Sequence, residues 1–164
     1  MLFRSEADPN RANTLGNYAL FLSDVRKDMD QAESFYRRAI EADPNRANVL
    51  GSYAGFLLAQ GKLKEGMELL ERTMEEAKLP AEEALLVECL FYAYANGPEA
   101  RREQSLAKLR ALIEQGVRSP GWDFSATIGR AKKAKHPRVP LLLELAQVIS
   151  EGAEIKAKSK GQTR

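Results

Sequence analysis

The side chains best suited to chemistry in this sequence are a lone cysteine, Cys89, and a lone histidine, His136. A thiol nucleophile needs a base beside it. The histidine stands 47 residues further on, in a turn before Pro137. Cys89 sits among Leu85, Leu86, Leu90 and Phe91, where a thiol behaves as a small hydrophobe. Catalysis by this pair is not expected. One Cys and one His also fall short of the roughly four ligands of a structural zinc site. No glycine-rich phosphate loop follows a strand, since no segment reads as a strand. The expectation is a protein that is not an enzyme and holds no cofactor or metal.

Two other groups could bind rather than react. Arg130, Lys132, Lys133, Lys135, His136 and Arg138 form a basic stretch that could meet nucleic acid or an acidic protein. Only Trp122 and Phe124 lie near it as stacking groups. A solvated helix face is the preferred reading, so nucleic acid is not the expected partner. Trp122 follows Pro120-Gly121 and precedes Asp123, a good N-cap residue. It is expected to pack the C-terminal helices onto the rest, with a role as a partner anchor as the alternative.

The elements that position these groups are set by an internal repeat. From Glu6 the chain reads EADPNRANTLGNYALFL, and from Glu41 it reads EADPNRANVLGSYAGFL. The offset is 35 residues, and only Thr14/Val49, Asn17/Ser52 and Leu20/Gly55 differ. Leu15, Tyr18, Ala19 and Leu22 fall at i, i+3, i+4, i+7, as do Leu50, Tyr53, Ala54 and Leu57. Each set is one apolar stripe on a helix. Further stripes follow at Ala32, Phe35, Tyr36, Ala39 and Ile40, then at Met67, Leu70 and Met74. Asp43-Pro44 ends the first unit, because proline cannot continue a helix and restricts the residue before it. Each unit is therefore helix–turn–helix.

These residues resemble the tetratricopeptide repeat family over residues 6–78. The family sets small residues where its two helices touch and a proline near the end of the unit. The matching positions are Ala19, Ala32, Tyr36, Ala39 and Pro44, then Ala54, Gly66, Leu70 and Thr73, with Gly61 in the inter-helix turn. The first unit carries one extra residue around Val25–Asp28, which lengthens the period to 35. The large residue usual early in the first helix is only Leu15 or Leu50. The resemblance implies an all-α, right-handed solenoid of stacked antiparallel helix pairs.

Later residues fit the same plan less tightly. A helix from Pro80 to about Asn96 and another over about 99–115 read as a third, degenerate pair. A short helix at about 123–135, with Asp123 as its N-cap, and a last one at about 139–155 read as a cap, which repeat arrays need. The expected layout is one domain over 1–155, with repeats at about 9–43, 44–78 and 80–116 and the cap at 122–155. Residues 156–164 are expected to be a basic flexible tail. A preceding unit would end at Ser5, so an open N-terminal end is expected, either exposed or continuing a longer array.

Opposite the core stripe lie Asn13, Gly16, Asn17 and Leu20 in the first unit, matched by Asn48, Gly51, Ser52 and Gly55 in the second. An internal helical glycine costs about 1 kcal/mol relative to alanine. Its repetition implies a shallow surface or a close approach. In the tetratricopeptide family this face lines the concave groove that holds partner peptides. Asparagine side chains both donate and accept and suit an extended peptide backbone. The alternative is that these residues serve packing between repeats. Some family members hold a partner's C-terminal carboxylate with groove lysines. Gly16 and Gly51 stand where that lysine would be, so this kind of binding is not expected.

The 164-residue chain, 44% apolar, suits one domain with a core. No apolar run reaches the roughly 18 residues of a membrane span, and Met1–Glu6 lacks the apolar stretch of a signal peptide. A single cysteine suits a reducing cytosol. Net charge is +2 overall, but residues 1–100 carry 11 Lys+Arg against 17 Asp+Glu, and residues 101–164 carry 14 against 6. This asymmetry could steer an acidic partner or favour head-to-tail contact, or simply mark two solvated faces. The function expected is a protein- or peptide-binding scaffold. The alternative is a self-associating segment of a longer array, joined through its open N-terminal end.

Overall fold

The computed structural model describes residues 7–152. The expected tail at 156–164 and the residues before Ala7 lie outside that range. Eight α-helices follow one another in the described residues: α1 (Pro9–Asp24), α2 (Met29–Ala42), α3 (Ala47–Ala59), α4 (Leu63–Glu76), α5 (Glu83–Asn96), α6 (Glu99–Glu114), α7 (Ser125–Lys133) and α8 (Val139–Glu151). They pack chiefly as consecutive pairs, α1 on α2, α3 on α4 and α5 on α6, and each pair stacks on the one before. The fold is an all-helical repeat array.

Local chemistry sets several helix ends. The Asp8 carboxylate accepts the Arg11 N–H at 3.0 Å and Pro9 takes the first turn of α1. Asp28 caps α2 the same way through the Gln31 N–H at 3.1 Å. Both satisfy donors that the first turn leaves unpaired. The turn between α3 and α4 uses Gly61 at φ +77°, and the longer turn between α1 and α2 uses Lys27 at φ +57°. Only glycine enters this left-handed region freely, so the extra residue in the first turn carries a strain the second avoids.

Three boundaries differ from the sequence reading. Pro80 opens a 3-10 turn, Pro80–Glu82, and α5 proper begins at Glu83. The Glu82 carboxylate folds back onto the N–H groups of Lys78 and Leu79, at 2.9 and 3.0 Å, and this tightens the entry. α7 begins at Ser125 rather than 123, because Asp123 spends its side chain on a short turn, accepting the Ser125 N–H at 2.8 Å. α8 stops at Glu151 rather than 155, where Gly152 turns left-handed at φ +71° and closes the helix.

Packing follows position in the stack. α3 buries Val49, Leu50, Tyr53, Ala54, Phe56, Leu57 and Leu58, and α5 buries every residue from Val87 to Ala95. A helix apolar on all sides is one with neighbours on all sides. α1 and α2 have no repeat before them among the described residues, and there the predicted core stripe holds at Ala19, Leu22, Ala32, Tyr36 and Ala39 but not at Tyr18. Tyr18, expected in the core, is 44% exposed.

A close helix contact against a fully buried side chain lies inside the second pair. A Cβ placed on Gly66 would sit 2.8 Å from Leu58 Cγ and 3.2 Å from the Leu58 backbone N. Leu58 is fully buried and cannot retreat. Gly66→Ala is therefore expected to destabilise by about 1–2 kcal/mol, an overpacking cost partly offset by better helix propensity. Gly129 in α7 has nothing within 4 Å of its would-be Cβ and serves as control, since Gly129→Ala should stabilise by up to about 1 kcal/mol. Urea midpoints at unchanged slope measure both. Equal shifts in the two variants would show that α3 and α4 are not tightly closed on each other.

Candidate functional site: the face of the first helices

The residues read as a groove come to neighbouring helices, since α1 packs against α3. They do not share one environment. Asn17 and Asn48 are exposed, and Asn13, Leu20, Ser52 and Gly55 are half-buried. Gly16 and Gly51 are buried. A Cβ on Gly16 would stand 3.1 Å from Val49, and one on Gly51 would stand 2.6 Å from Leu85. Each glycine lets the next first helix come close, so these two shape the face from beneath. Asn13 is also engaged, because its side-chain oxygen accepts from Arg46 Nε at 2.9 Å across the seam between repeats.

The cap bounds this face at its C-terminal end. α7 packs on α5 and also reaches α3. Trp122 donates its indole N–H to the Tyr92 hydroxyl at 2.8 Å, which ties the cap to α5 as its position in the sequence suggested. The Tyr92 ring in turn comes within 3.8 Å of a would-be Cβ on Gly55. Gly55 is thus at a junction with α5, and the open part of the face runs over Asn17, Leu20, Asn48 and Ser52.

Under the cap is a set of polar groups that sequence reasoning missed. Glu88 of α5 is buried and accepts the Ser119 hydroxyl. Burial pushes its carboxyl up to about 7, with the Ser119 bond opposing. Burial also drives the Tyr92 phenol upward. The Ser119 and Gly121 N–H groups donate to Ile149 and Ser150 carbonyls at 3.0 and 3.1 Å, so one loop joins α5 to the end of α8. The only hint in the sequence was a Glu inside the apolar run Leu85–Phe91.

The basic stretch disperses. Arg130 is half-buried, its guanidinium lowered by desolvation, and its Nε has no hydrogen-bond partner. His136 is buried edge-on to Tyr94, and its Nδ1 accepts the Arg138 N–H at 3.1 Å. Arg138 reaches Glu103 at 3.2 Å. Of the six residues, only Lys132, Lys133 and Lys135 remain exposed. Cys89 is buried, and burial raises its thiol far from reactivity. Among the described residues no three His, Cys, Asp or Glu side chains gather as a metal site. No helix there is long and apolar enough to cross a membrane.

On the side of the second helices, a cleft of about 400 Å³ opens between α4 and α6. Met67, Met74, Leu90 and Ala93 line it, with Lys64, Glu71 and Arg101 also at its walls. It suits an apolar side chain more than a charged ligand.

No curated protein and no solved structure matches the chain. A family model described as tetratricopeptide repeat matches residues 26–89. The match runs from the turn before α2 into α5. It leaves out α1, although α1 repeats α3 almost residue for residue. Such repeats generally mediate protein–protein interaction and are typically non-catalytic. Residues 26–89 of this chain are thus similar to tetratricopeptide repeat sequence, and they lie in an all-helical array of stacked pairs.

Proposed function

We propose that this chain is a non-catalytic scaffold that binds a protein or an extended peptide along the face of α1 and α3. The observation that carries the reading is the exposure of Asn17 and Asn48 on two adjacent first helices. They stand over a surface kept shallow by Gly16, Gly51 and Gly55. Leu20 and Ser52 complete the open floor, and Asn13 fixes its seam. Amides so placed pair with a peptide backbone while asking little of its side chains. The chain works in the cytoplasm, where its unpaired, buried Cys89 needs no oxidising environment.

The test is photo-crosslinking from a reactive side chain placed at position 17 or 48, against a control at the exposed Gln104 of α6. A partner should be captured from 17 and 48 and not from 104. Replacing Asn17, Asn48 and Ser52 together by alanine should leave the helical spectrum intact and weaken the captured partner at least about tenfold, or about 1.4 kcal/mol. Asn13 is tested separately, because its loss also frees Arg46. Equal capture from all three positions, or unchanged affinity, sinks the groove.

A second reading, association through the open end of α1 and α2, is favoured by the exposure of Tyr18 and Phe21, each 44%.

A further inference from the structure

The junction between the first two repeats is fully formed, and its chemistry is explicit. Tyr53 and Phe56 of α3 dock on Tyr36 of α2, with ring centroids 5.2 and 5.4 Å away. Tyr36 is flanked on its helix by Ala32 and Ala39, and all three are fully buried. These alanines let the rings approach. The Tyr53 hydroxyl donates to Glu33 at 3.3 Å. Tyr53 and Phe56 are only 6% and 7% exposed.

The 35-residue shift carries Tyr53 onto Tyr18 and Phe56 onto Phe21. The same two residue types thus stand at the same helical positions on α1. There they form an open ledge. Tyr18 meets Phe35 edge-on at 4.6 Å and stacks with Phe21 at 6.2 Å. The Arg38 guanidinium lies 4.7 Å from the Phe35 ring centre. Val25 extends the apolar surface at 65% exposed. The ledge is preformed by its own ring contacts.

We propose that this ledge is a docking surface for one amphipathic helix of another polypeptide, carrying the pattern that α2 presents to α3. That pattern is a small residue, a glutamate directly after it, an aromatic four residues after the small one, and a second small residue three further on. In α2 it is Ala32, Glu33, Tyr36 and Ala39. The aromatic stacks on Tyr18 and Phe21, the small residues admit the rings, and the glutamate accepts the Tyr18 hydroxyl. The junction inside the chain also has Lys62 on Glu33 at 2.8 Å. Asp28 stands at the corresponding place on the open end and is used as the α2 cap. Phe21 lies one turn from Asn17 on α1, so this surface borders the Asn17 side of that face, and Asn48 and Ser52 of α3 tell the two proposals apart.

The probe is a synthetic peptide with the sequence of residues 28–43, stapled through the outward positions 30 and 34 so that it is helical. It is titrated to millimolar concentration into the full chain labelled for NMR. The expected result is saturable shifts centred on Tyr18, Phe21 and Val25, with Asn48 and Ser52 unmoved. Tyr18→Ser with Phe21→Ser, both at exposed positions, should weaken the peptide at least tenfold while the helical spectrum stays. A peptide with alanine for Tyr36 and Glu33 should weaken as much. No shifts at millimolar peptide, shifts centred on the groove, or unchanged affinity in the double variant overturn the proposal. Two further outcomes also overturn it by naming another occupant. A dimer by sedimentation that the double variant dissolves would make the occupant a second copy of this chain. Peptide binding that appears only after residues 1–6 are removed would make it the chain's own first segment.

Discussion

Tyr36→Ala is expected to unfold the first helix pair ahead of the rest of the chain. Tyr36 is fully buried, Tyr53 stacks on it and Phe56 packs tilted against it. Removing a buried aromatic ring costs about 3–5 kcal/mol in lost transfer energy and cavity. In a repeat array stability is close to a sum of units and nearest-neighbour junctions, so the loss falls on one junction. α1 and α2 then keep chiefly their own contacts, while α5 to α8 keep a common core. Two probes separate the ends. Trp122 is the only tryptophan and is tied to α5, so its fluorescence reports the C-terminal half. The helical signal reports the whole chain. In urea, the variant should lose part of its helical signal well before the Trp122 transition, with amide protection falling first in α1 and α2. Coincident transitions would mean that the chain unfolds as one unit and that the junction is not where its cooperativity breaks. Tyr36→Phe is the control, because the Tyr36 hydroxyl is buried without a hydrogen-bond partner and its removal should cost little.

Glu88→Gln is expected to remove a slope in stability that the native chain shows between about pH 4.5 and 7. Burial raises the Glu88 carboxyl from 4.5 to about 7 in the folded state. Between those values the unfolded chain releases a proton that the folded chain holds. Stability from this group is therefore full below pH 4.5, falls as pH rises and levels off above 7. The drop is about 3 kcal/mol. Glutamine keeps an acceptor for the Ser119 hydroxyl and never ionises. At pH 8 the variant should be more stable by about 2 kcal/mol, allowing for a weaker bond to Ser119. Ser119 belongs to the loop that joins α5 to α8, so Trp122 fluorescence should follow the same pH course. Urea midpoints from pH 5 to 8 decide the matter. A native chain flat across this range, or a variant with the same slope, would show that Glu88 is ionised or hydrated in the fold.

The duplicated segment and the apolar spacing that follows it determined the helical pairs and their order. Apolar residues three and four apart, Asp43-Pro44 as a stop, and Gly61 in its turn are local signals, and local signals suffice to start and stop helices. The sequence also carried the residues of the α1–α3 face, because helical spacing fixes which side chains share a side.

What the sequence left undecided depends on neighbours. Asp-Pro-Asn-Arg-Ala-Asn occurs twice, at 8–13 and 43–48. In the first copy Pro9 opens α1, with Asp8 capping Arg11. In the second, Asp43 instead accepts the Asn45 N–H at 3.2 Å, the Pro44 carbonyl takes Arg72 at 2.8 Å, and α3 waits until Ala47. Identical residues take two shapes because, among the described residues, only the second copy continues directly from a helix, α2, and is held by Arg72 of α4. The same holds for Tyr18 and Tyr53, one an open ledge and the other a closed junction. It also holds for the basic stretch, which α6 and its own turn take apart, and for Glu88, whose polarity shows only once the Ser119 loop closes over it. Spacing along the chain fixes the face on which a side chain lies. Only packing decides what meets that face, and so whether the residue is core, seam or binding surface.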